Sequence, residues 1–503
     1  MTVARSGWRS ANALFLIVGL LLPPLAILLL IARPEPRRTK ILGAAMLVVL
    51  TGFYVNTTLK LRRPAAPIGH TPAADPADWS ALESQRAEQA KVPAKPQNVA
   101  VQSRYWTSFR GPGTAGRYDE MTLVETWPAE GPALLWKQPI GEGWSSFAVA
   151  DGVAFTLERR RDREMAVAYD VDDGRELWSA SWQSRFAEAA DRDGPRTTPA
   201  WDEGRLYVLG AAGDLLALDA TTGRELWRRD ILDENDALNL RWGVAASPLV
   251  VGDLVVTMPG AAKDRCVVAY DKKTGEPRWH ALPDTASYAS PVAATLAGRL
   301  TVLVVTASRA VGLDPRSGAL LWEQEWATDM GINAAQPVVI DDHRFMVSAG
   351  YGHGAMLVAI EPDGDGLQAR KVWETTRLKN KLSSSVYHDG HFYGLDEGIL
   401  VCLDAETGEQ RWKSGRYGHG QLVLAQGRLI VLTERGELAL VDASPSAFVE
   451  KARFPAIDGR TWNSPALASG MLLVRNGREM AAYRLALPEA SASSEAASAG
   501  GAG

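Results

Sequence analysis

The sequence predicts an all-β protein, an eight-bladed β-propeller, carried behind an N-terminal two-helix membrane anchor. The first observation is a repeat: small residue, spacer, Asp, three spacers, Gly, three spacers, Trp. It recurs at Ala168–Trp178, Ala217–Trp227, Ala269–Trp279, Gly312–Trp322 and Cys402–Trp412, with a stretched version from Ala359 through Glu361, Gly364 and Gly366 to Trp373. The second is its period. With Trp136 in front and Phe454 in an eighth place, the anchors step at roughly 40–50 residues, one four-stranded blade each. The third is texture, since residues before each Asp run apolar in strand-like fashion and long Leu/Glu/Lys helical stretches are missing from the repeats.

Each residue of the unit has a physical task. The Asp (Asp170, Asp219, Asp271, Asp314, Asp404) accepts backbone N–H groups across a turn, and the Gly (Gly174, Gly223, Gly275, Gly318, Gly408) supplies a positive φ. The Trp (Trp178, Trp227, Trp279, Trp322, Trp412) is a flat anchor that buries roughly 150–250 Å² against a neighbour.

Taken in order, the chain opens with two apolar runs, 12–32 (interrupted by Pro23-Pro24) and 41–59, each about the ~20 residues a membrane helix needs. Arg5 and Arg9 precede them, Arg33, Arg37, Arg38 and Lys40 lie between, and Lys60, Arg62 and Arg63 follow. No small-x-small cleavage site ends the first run, so a hairpin of two helices is expected in place of a signal peptide. The absence of any cysteine before Cys266 excludes a lipoprotein signal. The positive-inside rule only slightly favours a cytoplasmic loop with both ends outside, so the side on which the propeller stands rests more on the family resemblance below, which implies the periplasmic side of a bacterial inner membrane.

Residues 64–104 are Ala/Pro-rich and read as a linker, with a short helix from Asp78 to Lys91 capped by Asp78 or Ser80. The stretch Trp106-Thr-Ser-Phe-Arg-Gly-Pro112, followed by Trp127-Pro128, is too aromatic for free linker and is expected to pack on the propeller. The propeller spans 105–486, with blades near 145–181, 197–230, 245–282, 288–325, 335–375, 383–415 and 419–455. Strands in 462–485 lack a fourth member and the strand around Trp136 lacks a blade. Joining them closes the ring and removes exposed edges. Residues 487–503 form an Ala/Ser/Gly tail of disordered composition.

A net charge of −5 gives no support for nucleic-acid binding. Two cysteines, Cys266 and Cys402, exclude a disulfide framework, and Cys402 stands where other repeats have Ala, as a small buried hydrophobe. Glycine-rich Gly350–Gly354 and Arg416–Gly420 precede no helix, so they fail as phosphate cradles. His353 and His419 lack a nearby third ligand.

The Asp-x-x-Thr-Gly-x-x-x-Trp units resemble the tryptophan-docking motif of the pyrroloquinoline-quinone-like (PQQ-like) repeat propellers. That superfamily includes quinoprotein alcohol and glucose dehydrogenases and the propeller lipoprotein of the outer-membrane β-barrel assembly machinery. The Trp106–Pro112 lead-in is similar to that of bacterial PQQ-like repeat proteins. The motif packs blades together and so speaks for fold more than activity.

Loops leading into the innermost strands form a funnel, and its candidate ligand-binding residues are Trp144, Arg196, Arg241, Trp242, Tyr288, Asn333, Lys379, Asn380, Lys381, His419, Trp462 and Asn463. Aromatic faces and cations of this kind suit a flat anion, or plug a channel mouth, or contact a protein loop. The resemblance implies PQQ with calcium as a possible cofactor, which demands converging oxygens. Carboxylates are scarce there, Glu142 and Asp329 being nearest, and the adjacent cysteine pair of the alcohol dehydrogenases and a Cys-x-x-Cys-His haem motif are missing. The resulting expectation is a non-enzymatic scaffold or binding module of the cell envelope with a protein or peptide partner. The alternatives are a PQQ-dependent membrane dehydrogenase and a small-molecule-sensing propeller.

Overall fold

The computed structural model describes residues 79–91, 106–120, 122–183, 186, 194–261 and 263–485. The expected membrane runs at 12–32 and 41–59, most of the 64–104 linker and the 487–503 tail lie outside these residues. Among the described residues no helix is long and apolar enough to cross a membrane.

Eight sheets follow one another along the described chain, each with four antiparallel strands, and one of them gains a fifth, parallel strand, Arg117–Tyr118. Blade 1 comprises Ala148–Ala150, Val153–Arg160, Arg163–Asp170 and Glu176–Gln183, named A to D from the channel outward. Blades 2 to 7 occupy 200–230, 249–281, 292–325, 338–375, 386–416 and 421–455. Blade 8 takes its A, B and C strands from 466–484 and its D strand, Ala133–Pro139, from the other end of the array. That strand pairs antiparallel with Glu479–Arg484, with Trp136 opposite Ala482, so the ring closes by strand pairing.

Packing between blades explains the repeat. In blades 1, 2, 3 and 6 the small residue lies directly across from its own tryptophan: Ala168 and Trp178, Ala217 and Trp227, Ala269 and Trp279, Cys402 and Trp412. The ring then reaches the C–D turn of the following blade. Trp136, Trp178, Trp227, Trp279 and Trp373 donate Nε1–H to the carbonyls of Val171, Ala220, Lys272, Pro315 and Ala405, at 2.8–3.2 Å. Each acceptor directly follows the turn's Asp, except Ser444, which takes the bond from Trp412 at 2.8 Å. The turn glycines have φ of 70–74°, and a Cβ on Gly174, Gly223, Gly275, Gly318 or Gly408 would stand within 2.8 Å of the preceding blade's indole or a neighbouring side chain. Backbone sign and ring clearance therefore both demand glycine. Phe454 fills the last place against Gly131, braced edge-on by Trp127 at 5.8 Å and Tyr483 at 5.4 Å.

The turn Asp works as its residue type suggests. Asp219 Oδ1 accepts the Thr221 and Thr222 N–H groups and the Thr222 hydroxyl, and that hydroxyl holds its pKa below the ordinary carboxylate value.

Blades 4 and 5 break the pattern. Leu357, not Ala359, lies opposite Trp373, while Ala359 faces Arg370, so the added residues lengthen the C–D hairpin and carry its tip past the docking position. Trp322 accordingly has no turn carbonyl to meet, and its buried Nε1 has no partner. Its ring folds back over Gly312 in its own blade, where a Cβ would lie 2.2 Å away, and packs on Phe345 at 5.2 Å. The small residue of this repeat is glycine because the ring occupies the methyl's place.

A second set of interblade bonds circles the channel. The backbone N–H of Ser146 donates to the Thr198 hydroxyl, Thr198 N–H to Ser247, Ser247 N–H to Ser290, and Gln336 N–H to Ser384, at 2.9–3.1 Å. Each is the equivalent position one blade further on, and Ser146 Oγ donates back to Ser464 O of blade 8 at 2.5 Å. Such bonds satisfy N–H groups that the innermost strands cannot pair within a blade.

The helix Trp79–Ala90 lies over the closing seam. Gln85 and Gln89 donate to Gln138 of the closing strand, and Arg86 pairs with Glu176 of blade 1 at 3.0 Å. Antiparallel pairing places D–A and B–C connections on one face of the ring, called upper here, and A–B and C–D turns on the lower face. The Trp106–Tyr118 segment crosses the lower channel mouth. Val149 and Trp201 donate backbone N–H groups to Trp106 O and Thr107 O, and Arg117–Tyr118 pairs in parallel with blade 7. The fully buried Arg110 guanidinium donates to Ser384 O and Ser385 O of blade 6, and burial brings its pKa down to about 10.

Gly312→Ala is expected to destabilise the fold by about 1–3 kcal/mol, because the methyl overlaps the Trp322 ring. Trp322→Phe should cost about 1 kcal/mol less than Trp227→Phe, since only Trp227 gives up a hydrogen bond. Urea unfolding midpoints of the three variants test both statements.

Candidate binding site on the upper face

The upper face gathers side chains from loops that neighbour one another only after the ring closes. Trp144, leading into blade 1, lies 4.9 Å from Trp462, which leads into blade 8, with the rings tilted by 36°. Trp462 Nε1 donates to Glu434 at 2.9 Å, and Arg460 lies 5.1 Å above the same indole. Glu434 also accepts the His419 backbone N–H at 3.1 Å. Burial, then the Lys381 charge, pull the His419 imidazole below its ordinary pKa.

On the other arc Trp242 packs on Tyr288 at 5.5 Å, with the Arg241 guanidinium 5.3 Å over the Trp242 ring. Lys381 Nζ stands 5.0 Å over Tyr351. Burial raises the Tyr288 and Tyr351 phenol pKa values, while Arg196 and Arg241 pull Tyr288 the other way and Arg241 does the same to Tyr351. Arg196 also lies over Phe186 at 5.5 Å and donates to Gly194 O. These groups thus share one electrostatic neighbourhood.

Four expected funnel residues do other work. Asn333, Asn380 and Asn463 are almost wholly buried, and their amides donate to backbone carbonyls: Thr306 O, Leu395 O, and Gly143 O with Ser145 O. They pin the loops into the inner strands. Lys379 is neutralised by Asp396 at 2.8 Å and donates to Thr376 O. His353 packs against Trp326 at 4.4 Å, as an ordinary loop residue does.

Residues without a sequence signal support the arc. Glu164, 1% exposed, accepts the Ala211 backbone N–H at 3.2 Å and the Trp182 Nε1–H at 3.2 Å. Ala211 O in turn accepts Val244 N–H and Asn239 Nδ2, fixing the loop that carries Arg241 and Trp242. Burial raises the Glu164 pKa to about 7. Tyr351 belongs to a B–C loop rather than a D–A loop, so a search confined to strand leads passes over it.

A calcium-held quinone would need converging carboxylate and amide oxygens. The three asparagines spend their Nδ2 groups on backbone, and Asn380 Oδ1 accepts the Ser385 hydroxyl, while the buried Oδ1 atoms of Asn333 and Asn463 have no partner. Two amide oxygens on the leads to blades 5 and 8, with no group of three or more His, Cys, Asp or Glu side chains among the described residues placed to hold a metal ion, do not make up the converging donor set of a calcium ion.

Eight blades, tryptophan rings docked on the next blade's Asp-Gly turn and a closing strand define a PQQ-like β-propeller. Within that class, the chain belongs to the family described as outer membrane protein assembly factor BamB, whose model it matches over 123–258, 162–414 and 396–486. It is 24% identical to the outer membrane protein assembly factor BamB of Burkholderia pseudomallei (strain K96243), over 75% of this chain and 97% of that protein. Among solved structures it superimposes on BamB from Moraxella catarrhalis with a TM-score of 0.53 at 16% identity, covering 70% of this chain and all of that one. Quinohemoprotein alcohol dehydrogenase from Comamonas testosteroni gives 0.55 at 12% identity, covering 80% and 83%, a likeness of fold alone.

Glu164 provides a pH test. Its folded pKa is raised from an ordinary 4.5 to about 7, so its stabilising contribution is complete below about 4.5 and is lost as pH rises through about 7. Glu164→Gln should therefore match the parent in unfolding free energy near pH 4 and exceed it at pH 8, by on the order of 1–3 kcal/mol.

Proposed function

We propose that this chain is a non-enzymatic scaffold of the bacterial cell envelope. Helices at 12–32 and 41–59 anchor it in the inner membrane. The propeller stands on the periplasmic side, and its upper face holds a protein partner during the assembly of outer-membrane proteins. The match to the BamB family carries this reading, because it runs through all eight blades instead of one shared motif. The upper face agrees with it, having aromatic and cationic groups suited to holding a segment. The inner-membrane anchor comes from the two apolar runs and their basic flanks.

A photo-crosslinking residue at Trp242 should capture envelope assembly proteins in living cells, while the same probe at Lys273 on the lower face captures none of them. Removal of the chain should lower the outer-membrane β-barrel proteins in the native bacterium. Retention in the membrane pellet after carbonate extraction, with propeller digestion by protease added to spheroplasts, tests anchor and side together. Capture of cytoplasmic proteins alone overturns the reading.

A further inference from the structure

We infer that the arc formed by Arg241, Trp242, Tyr288, Tyr351 and Lys381 is a docking site for an acidic, extended peptide segment; this rests on the scaffold reading and names the partner's chemistry. The argument begins with charge. Arg241 and Lys381 make no ion pair among the described residues, although ion pairs are common across the blades. Arg241 is exposed and lies along an indole, and Lys381 is half-buried over a phenol. An aromatic ring under a cation removes water from one side and leaves the other for a ligand, where a carboxylate meets a partly desolvated charge.

Among the described residues, the carboxylates acting on this arc and its neighbour His419 are Glu434 and Glu397. Glu434 is occupied by Trp462 Nε1 and the His419 N–H, and Glu397 is an exposed carboxylate acting on Tyr351 and His419.

Shape favours a segment over a small flat anion. The five residues come from loops of four successive blades, 3 to 6, and so are spread along an arc of the upper face. The cavity of about 180 Å³ beneath the lower-face segment and the groove of about 540 Å³ beside Phe454 are lined by other residues. Tyrosine and tryptophan faces with cations between them suit alternating backbone and carboxylate contacts of an extended chain.

The test uses the full chain in phosphatidylcholine nanodiscs, with fluorescence anisotropy of fluorescein-labelled hexaglutamate and hexalysine peptides. Hexaglutamate should bind, weaken as salt rises, and lose roughly tenfold in affinity in the Arg241→Gln, Lys381→Gln double variant. Arg224→Gln with Lys273→Gln, on exposed lower-face turns, should leave it unchanged. Equal binding of hexalysine, or a double variant that binds hexaglutamate as the parent does, overturns the proposal. So does binding of phosphatidylglycerol vesicles without binding of the peptide, which would make the arc a membrane-facing surface. If the double variant retains the envelope crosslinks while hexaglutamate does not bind, the docking proposal falls and the scaffold reading stands.

Discussion

Everything in this molecule depends on a flat ring seated on a glycine turn. A single blade has two apolar faces and cannot bury either alone, so it is stable only between neighbours. The tryptophan of one blade covers the C–D turn of the next, donates its N–H to a carbonyl of that turn, and excludes any Cβ from the glycine beneath it. Inside, hydroxyls of Thr198, Ser247, Ser290 and Ser384 accept N–H groups from the preceding blade. Outer docking fixes spacing and inner bonds fix rotation. Between them the loops of the upper face receive a common geometry.

That division explains what the sequence revealed. Asp219, Gly223 and Trp227 each have a local reason for their place, so the repeat, the blade count and the closing strand were readable from spacing. The stretched fifth repeat reads from Ala359 by the small-residue rule, but once the hairpin is lengthened the residue facing Trp373 is Leu357, which that rule cannot pick out. The inner hydroxyls were overlooked, although Thr198-Pro, Ser247-Pro, Ser290-Pro and Ser464-Pro stand at one phase of the period.

The site was legible by position and less so by role. Trp144, Trp242, Tyr288 and Trp462 do meet in pairs. Asn333, Asn380 and Asn463, adjacent in sequence to those leads, turn inward because a loop entering a buried strand needs its carbonyls satisfied. Glu164 gave no sign, and Arg110 stands in the aromatic lead-in with no role that its spacing reveals, since both rely on backbone groups contributed by other blades. Hydrogen bonds to backbone carry no sequence signature in the partner.

The closing strand has a consequence for how the protein is made. Its partner, Glu479–Arg484, is synthesised after all seven other blades, so Ala133–Pro139 must wait with an unsatisfied edge while they form. Loop-closure entropy rises only logarithmically with the intervening length, so the wait is kinetic more than energetic. During it the nascent ring resembles an open spring with two sticky ends, vulnerable to pairing with another copy. The helix Trp79–Ala90 meets the waiting strand through Gln138 and blade 1 through Arg86 and Glu176, all of them synthesised early, so it can hold that strand against blade 1 before the last pairing partner exists.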